Sequence, residues 1–434
     1  MHIRTVFACL FSVGTLAAAA SDGAAMVTFH RDVLPVLQQN CQKCHRPNEA
    51  TPMSLLTYNE TRPWAQAIKE AVLLKRMPPW FADPKYGKFT NEHRLTDDEL
   101  KTIVAWVDQG ANEGDPADAP RPMKFVEGWN IGKPDLVVEM PEAFEVPAEG
   151  TIDYQYLVIP TGFTEDRWVQ AAEIRPGNRA VVHHVIAFVR PPDSDWLEEA
   201  VPGKIYVPQE RKKDDGRKRN ESRELLVGFA PGMEEGVWLP GYAKLIQAGS
   251  DIVFQLHYTA NGKPATDLTS VGITFSKEKP RKRVVTMLAM NRDFTIPPGA
   301  PNHEVKSNWI INETTELVSL MPHMHLRGKD FHYVATYPTG EKEVLLDVPK
   351  YDFNWQFFYY LKDPKILPKG THIDCTAHFD NSPNNPANPD PAKAVKWGDQ
   401  SWEEMMIGWF EIAMDADADS KLYTKRGKAD GADD

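Results

Sequence analysis

Cys41-Gln42-Lys43-Cys44-His45 constrains this chain more than any other stretch of it. Two thiols one helical turn apart can add to the two vinyl groups of a single haem, and the histidine that follows becomes an axial ligand of its iron. A thioredoxin-like redox pair or half of a zinc site would also use two thiols. Neither requires the adjacent imidazole, and no second CxxC follows.

Helical signals surround the pentapeptide. Phe29 to Gln39 leads into it, and Pro63 to Lys75 comes after. From Leu95 onward, Thr96 and Glu99 form a capping box, Ile103, Val104, Trp106 and Val107 make one apolar face, and Gly110 supplies the stop. Met77, in Arg76-Met77-Pro78-Pro79-Trp80, is the expected sixth ligand, because a thioether directly before two prolines sits on a rigid loop. Met53 is its rival, and either could be a core methionine. With a CxxCH, an MPP loop and a final Trp-bearing helix, residues 26–115 are similar to the bacterial cytochrome c domains. The resemblance implies one covalently attached c-type haem held by Cys41, Cys44, His45 and Met77, and electron transfer at raised potential.

At 434 residues the chain has room for about three domains. Its net charge of −12, from 49 basic and 61 acidic side chains with no basic stripe, excludes nucleic acid as an expected partner. Residues 1–20 read as a secretory signal peptide, with Arg4, an apolar run from Thr5 to Leu16, and Ala18-Ala19-Ala20 before Ser21. No later run approaches the ~18 apolar residues of a spanning helix, so no membrane insertion is expected and the location is periplasmic or secreted. Cys9 lies in the leader. The remaining Cys41, Cys44 and Cys375 are too few for a disulfide scaffold, and Cys375 reads as a small buried strand residue.

Residues 116–133, entered through the Pro- and Asp-rich run 111–122, read as a linker. Beyond it the pattern changes to short runs rich in β-branched and aromatic residues, including Tyr154–Ile159, Arg167–Ile174, Ala180–Arg190 and Asp251–Tyr258. A second set includes Leu317–Leu326, Phe331–Tyr337, Trp355–Leu361, His372–Phe379 and Met406–Ala413. The expected fold is therefore multidomain: a small all-α unit followed by two all-β sandwiches, at 134–280 and 281–414. Arg211–Arg223 reads as a solvated charged loop, and 415–434 as a disordered tail.

Five histidines of the β-region look arranged. In His323-Met324-His325 the spacing of two puts both rings on one face of a strand. His183 and His184 are adjacent, so a shared ligand role demands a bulge or a strand end there. His257 alternates with Gln255 and Val253. In chain order, Val182-His183-His184, Leu256-His257-Tyr258, His323-Met324-His325 and Glu403-Glu404-Met405-Met406 resemble the copper type II, ascorbate-dependent monooxygenases, which include the peptidylglycine α-hydroxylating and dopamine β-monooxygenases.

The resemblance spans about residues 130–415. It implies two jelly-roll-like sandwiches with one copper ion each: His183, His184 and His257 around an electron-relay copper, and His323, His325 and Met405 around the catalytic copper that meets O2. Met406 is the alternative sulfur. A thioether suits Cu(I) and disfavours zinc or iron. Amidating relatives carry an Arg and an Asn where this chain has Met321 and Ile407, which puts an amidating activity in doubt. The implied activity is hydroxylation of a C–H bond of a small organic substrate, with electrons from a periplasmic donor or an ascorbate-like reductant through the fused haem. The alternatives are a non-catalytic copper-binding electron carrier and a mononuclear iron or zinc enzyme.

Overall fold

The structure, a computed structural model, describes residues 26–425 apart from 48, 50, 52, 209–218 and 231. The expected leader and most of the Arg211–Arg223 loop lie outside the described residues. None of the described helices is long and apolar enough to cross a membrane.

The N-terminal unit is helical. A wide turn at Phe29–Val33 runs into α1 (Leu34–Asn40), and Cys41 closes that helix. Further on come α2 (Tyr58–Thr61), α3 (Ala65–Leu73) and α4 (Asp97–Asp108). The α4 capping box forms reciprocally: the Thr96 amide donates to Glu99 Oε2 at 2.7 Å, and the Glu99 amide donates to Thr96 Oγ1 at 3.2 Å. Phe29, Leu37 and Trp106 are fully buried against one another, with Tyr58 stacked edge-on against Phe29. The connection at 116–133 is anchored rather than free. Arg46 lies over the Phe125 ring at 4.4 Å, and the Asn130 amide donates to Glu173 at 2.6 Å.

The rest is strand-rich. Its principal strands are β1 (Leu136–Glu139), β2 (Gln155–Pro160), β3 (Arg167–Arg175), β4 (Val182–Arg190), β5 (Glu224–Phe229), β6 (Tyr242–Ile246), β7 (Asp251–Tyr258) and β8 (Ser270–Phe275). The second half contributes β9 (Lys282–Asn291), β10 (His303–Ile310), β11 (Thr315–His323), β12 (Gly328–Thr336), β13 (Lys342–Val348), β14 (Tyr359–Leu367), β15 (His372–Phe379) and β16 (Met406–Asp415). One long sheet runs β1-β8-β3-β6-β9-β16-β11-β14 and so passes through both halves. Its first part faces the sheet β2-β7-β4-β5 across a core containing Val185, Phe254 and Ile273. Its second part faces β10-β15-β12-β13 across a core containing Phe331, Phe379 and Phe410.

Two sandwiches were expected from the strand pattern, but not a sheet shared between them. The joint is the parallel pairing of β6 with β9, Lys282 to Tyr242 and Arg283 to Ala243. Behind it lies a buried ion pair. Lys244 Nζ sits 2.8 Å from Glu411 Oε1, with both side chains under 5% exposed. The ammonium also donates to Leu225 O and Thr286 Oγ1, and Ser319 Oγ donates to Glu411.

Two expectations change. Segment 80–94, expected within the helical unit 26–115, contributes Trp80, Ala82 and Phe89 to the core of the second sandwich. The helical unit is too small to bury these side chains, whereas the open edge of β14 accepts them. Phe89 bridges to Leu361, and Asn91 Nδ2 donates to Phe358 O at 2.7 Å. Of the tail expected to be disordered from 415 to 434, residues 426–434 lie outside the described residues, and the described part instead continues β16 through Asp415. It then packs Ala418 and Tyr423 on the same core, with a short helix at Ser420–Thr424.

Replacing Lys244 with Met should leave Glu411 buried without a counter-charge and destabilise the protein by about 3–5 kcal/mol. Adding Glu411→Leu should recover most of the loss. Denaturant unfolding of the wild type, the single variant and the double variant measures both effects.

Candidate haem and metal sites

The haem segment is a tight turn at the end of α1. The Cys44 and His45 amides both donate to Cys41 O, at 3.1 and 2.9 Å, and the buried Gln42 side chain donates to Leu55 O at 2.8 Å. Cys41 and Cys44 are free thiols. Burial pushes the Cys41 thiol up to about 12 and lowers the basicity of His45. His45 Nδ1 is buried without a hydrogen-bond partner. Two unpaired sulfurs and an orphaned imidazole nitrogen on one turn fit a covalently held haem. Cys41 and Met53 are both packed against the helical core, whereas half-buried Met77 follows α3 and leads into the segment docked on β14.

Ionic contacts tie this turn to the first sandwich. Lys43, between the two cysteines, pairs with Glu234 at 2.7 Å. Glu49 joins Arg46 at 2.8 Å to Arg179 at 2.7 Å, four residues before His183.

His183, His184 and His257 meet through a bulge. His257 of β7 pairs with His184 of β4, but its neighbour Tyr258 pairs with Val182, so His183 is the extra residue. The bulge turns both adjacent rings toward His257. His184 Nδ1 lies 3.1 Å from His183 Nδ1 and 3.4 Å from His257 Nδ1, and the three rings offer ligand atoms within 4.8 Å of one another. Burial depresses all three imidazoles, His257 to about 4 and His184 well below the ordinary value. Neutral rings whose nitrogens face one another cannot all be satisfied by each other's protons. Lone pairs converging in this way suit a metal ion.

His323 ends β11 and His325 lies just beyond it, with ring centroids 5.3 Å apart. His323 Nδ1 pairs with Gln356 Oε1 at 2.7 Å, and His325 Nδ1 with Glu403 O at 3.2 Å. An oxygen acceptor at each Nδ1 places the proton there and leaves Nε2 as a free lone pair. Burial lowers His323 to about 4 and His325 to about 3. The buried Glu404 carboxylate accepts from the His325 and Arg327 amides at 2.9 and 2.6 Å. Burial nevertheless raises it to about 8. Of the two candidate sulfurs, Met406 is fully buried in the second core. Met405 lines a cavity of about 440 Å³ together with His323 and His184.

The two groups face each other for a reason visible in strand alternation. His257 shares a face of β7 with Val253, and His323 shares a face of β11 with Met321. Val253 and Met321 belong to a third core between the sandwiches, with Tyr156, Phe188 and Phe358. Phe353 bridges the two groups, stacked on His183 at 5.2 Å and edge-on to His325 at 5.9 Å. Met321 and Ile407 line the cavity as apolar surface, and its cations, Arg223 and Arg292, come from elsewhere. Gln356 and Phe353 were not identified from the sequence, and Glu403 and Glu404 entered only as part of the Glu-Glu-Met-Met block, since each acts through a contact across distant strands or loops.

Residues 35–111 match the family model for cytochrome c, and this segment is a cytochrome c domain. Such a domain binds haem and transfers electrons. No curated protein matches the chain. Among solved structures, the T=1 particle of infectious bursal virus is similar at 8% identity over 65% of this chain and 70% of that one, with a TM-score of 0.18. Allantoicase is similar at 10% identity over 55% and 79%, with a TM-score of 0.15. At these TM-scores the likeness does not amount to a common architecture.

Replacing Met77 with Ala should alter the ferrous haem spectrum, and Met53→Ala should leave it unchanged. Optical spectra of the two reduced variants decide which sulfur is axial.

Proposed function

We propose that the protein is an exported monooxygenase, periplasmic or secreted, that hydroxylates a C–H bond of a small organic substrate with O2. It would use two copper ions and take its electrons through the fused haem. The observation that carries this reading is the convergence of two histidine groups, each with neutral, lone-pair-bearing nitrogens, on the facing sides of two sandwiches around one cavity. Copper in these groups would supply one-electron chemistry toward O2 and the C–H bond, and haem at Cys41, Cys44 and His45 would supply single electrons from a periplasmic donor or an ascorbate-like reductant.

The chain's own residues account for the rest. His183, His184 and His257 offer three nitrogens and no sulfur, a set suited to a relay ion that cycles between Cu(I) and Cu(II). His323, His325 and Met405 add a soft thioether, which favours Cu(I) and the reaction with O2. Gln356 and the Glu403 carbonyl hold the two rings of the second group in the tautomer that presents Nε2. Tyr156, Trp196, Met321 and Trp409 give the cavity an apolar, aromatic wall that excludes water from a substrate. The Lys43–Glu234 and Glu49–Arg179 pairs hold the haem-bearing turn against the strand that carries His183.

Copper-loaded protein should lose one copper on His257→Ala and another on His323→Ala, counted by elemental analysis. Wild type should couple O2 uptake to a hydroxylated product. Met405→Ile should abolish product while leaving the haem spectrum intact, whereas Met406→Ile should lower stability and retain turnover. Copper binding without product from any C–H substrate would favour the electron carrier. Weakening the tautomer lock with Gln356→Ala should reduce copper affinity at the second group by about 10–100-fold.

A further inference from the structure

A further group of ligating side chains lies on the outer face of the sheet β10-β15-β12-β13. Strand alternation puts it there. Phe331 and Tyr333 of β12, Leu346 and Val348 of β13, and Ala377 and Phe379 of β15 turn into the core, so Asp330, His332, Asp347 and His378 turn outward. The register then sets them side by side: Asp330 opposite His378, His378 opposite Glu304 of β10, and His332 opposite Asp347.

The contacts are ordered. Asp330 Oδ1 lies 2.6 Å from His378 Nδ1 and 3.4 Å from His332 Nε2. The outer nitrogen of each ring faces a different carboxylate, His332 Nδ1 meeting Asp347 Oδ1 at 3.0 Å and His378 Nε2 meeting Glu304 Oε2 at 3.7 Å. Ligand atoms of Asp330, His332 and His378 all lie within 4.8 Å of one another.

We propose that Asp330, His332 and His378 form a third metal site, separate from the cavity between the sandwiches, which takes a divalent ion of the zinc type. The inner nitrogens of both rings already aim at one carboxylate oxygen. Zinc bonds of about 2.0–2.2 Å in a tetrahedron set ligand atoms roughly 3.3–3.6 Å apart, so side-chain rotation alone closes the site. A carboxylate hydrogen-bonded to the outer nitrogen of a ligating histidine fixes its tautomer and raises its basicity. Asp347 Oδ1, buried without a hydrogen bond, and Glu304, at 3.7 Å, lie beside those nitrogens and would take that role once the rings turn onto an ion. Charge points the same way. Among the described residues, the ion pairs of Asp330 and Asp347 are made with imidazoles, and Lys85 acts on Asp347 only from beyond ion-pair distance. Like charges on neighbouring strands destabilise a sheet, and a dication relieves them. One donor is a carboxylate, which makes this set harder than either histidine group of the cavity.

The position suggests what the ion does. The Asp347 carbonyl accepts from the Asp83 amide at 2.8 Å, where the segment leaving the helical unit crosses β13. An ion joining β12 to β15 beside this contact would stiffen the surface on which that segment docks.

Full-length protein, stripped with a chelator and dialysed against Zn2+, tests the site by zinc count, with His332→Gln/His378→Gln beside wild type and His257→Ala. The double variant should hold one zinc fewer than wild type, and His257→Ala should keep that zinc. In wild type, Zn2+ should slow diethyl pyrocarbonate modification of His332 and His378, mapped by mass spectrometry, at least fivefold. This readout does not depend on any variant folding. Equal zinc counts in wild type and the double variant, or modification rates unchanged by Zn2+, would overturn the site and leave a hydrogen-bonded His/Asp network only. Neither outcome bears on copper in the cavity, because the test uses neither copper nor turnover.

Discussion

The relation between the two sandwiches rests on one buried ion pair. Lys244 and Glu411 belong to different halves of the chain and meet beneath the two-residue parallel joint of β6 and β9. Two ladder pairs would be a weak hinge. The ion pair converts the joint into a fixed one, because any sliding would leave a buried charge without its partner. Thr286, Ser319 and the Leu225 carbonyl complete the shell, so the charges are fully engaged only when β5, β6, β9, β11 and β16 are all in register. The consequence is geometric. With the sheet continuous, the outer face of β2-β7-β4 is pressed against β11 and β16, and the residues on those faces must form a third core.

The histidine groups sit where that third core gives way to a cavity. Apolar contacts such as Val253 with Met321 set the distance between the faces, and the imidazoles occupy the same strand faces two to four residues farther along. Their depressed basicity has the same origin, since burial in the seam disfavours the charged rings and keeps lone pairs available. Phe353 lies between His183 and His325, in ring contact with both. On the proposed function, this arrangement separates an electron store from an oxygen-reacting centre by one aromatic ring.

Features that depend on a few neighbouring residues could be read from the sequence. The CxxCH turn, the Thr96–Glu99 cap and the pairing of His323 with His325 need only local geometry, and the adjacency of His183 and His184 called for a bulge or a strand end, of which the structure has the bulge, against His257 and Tyr258. What could not be read depends on register between distant strands. Nothing near Gln356 marks it as the partner of His323, and nothing near Lys244 points to Glu411, 167 positions on. The segment 80–94 misled for a related reason. It follows a helix and precedes a helix, so its Trp and Phe residues read as part of the helical unit, yet the exposed edge of β14 offered them more burial.

That docking changes how the haem-bearing unit has to be regarded. A domain on a flexible linker would reach the sandwiches by diffusion and lose orientation between encounters. Here the helical unit is fixed at two places: through Trp80 and Phe89 in the second core, and through Lys43 and Glu49 on the first sandwich. The ionic contacts alone would be weak, since partly exposed pairs contribute roughly 0–1 kcal/mol. Burial of a tryptophan and a phenylalanine contributes several times more. The apolar anchor therefore supplies most of the holding energy, and the charged pairs choose which face of the helical unit turns inward. Because Lys43 lies between the two cysteines, the face they choose is the one that carries the haem attachment.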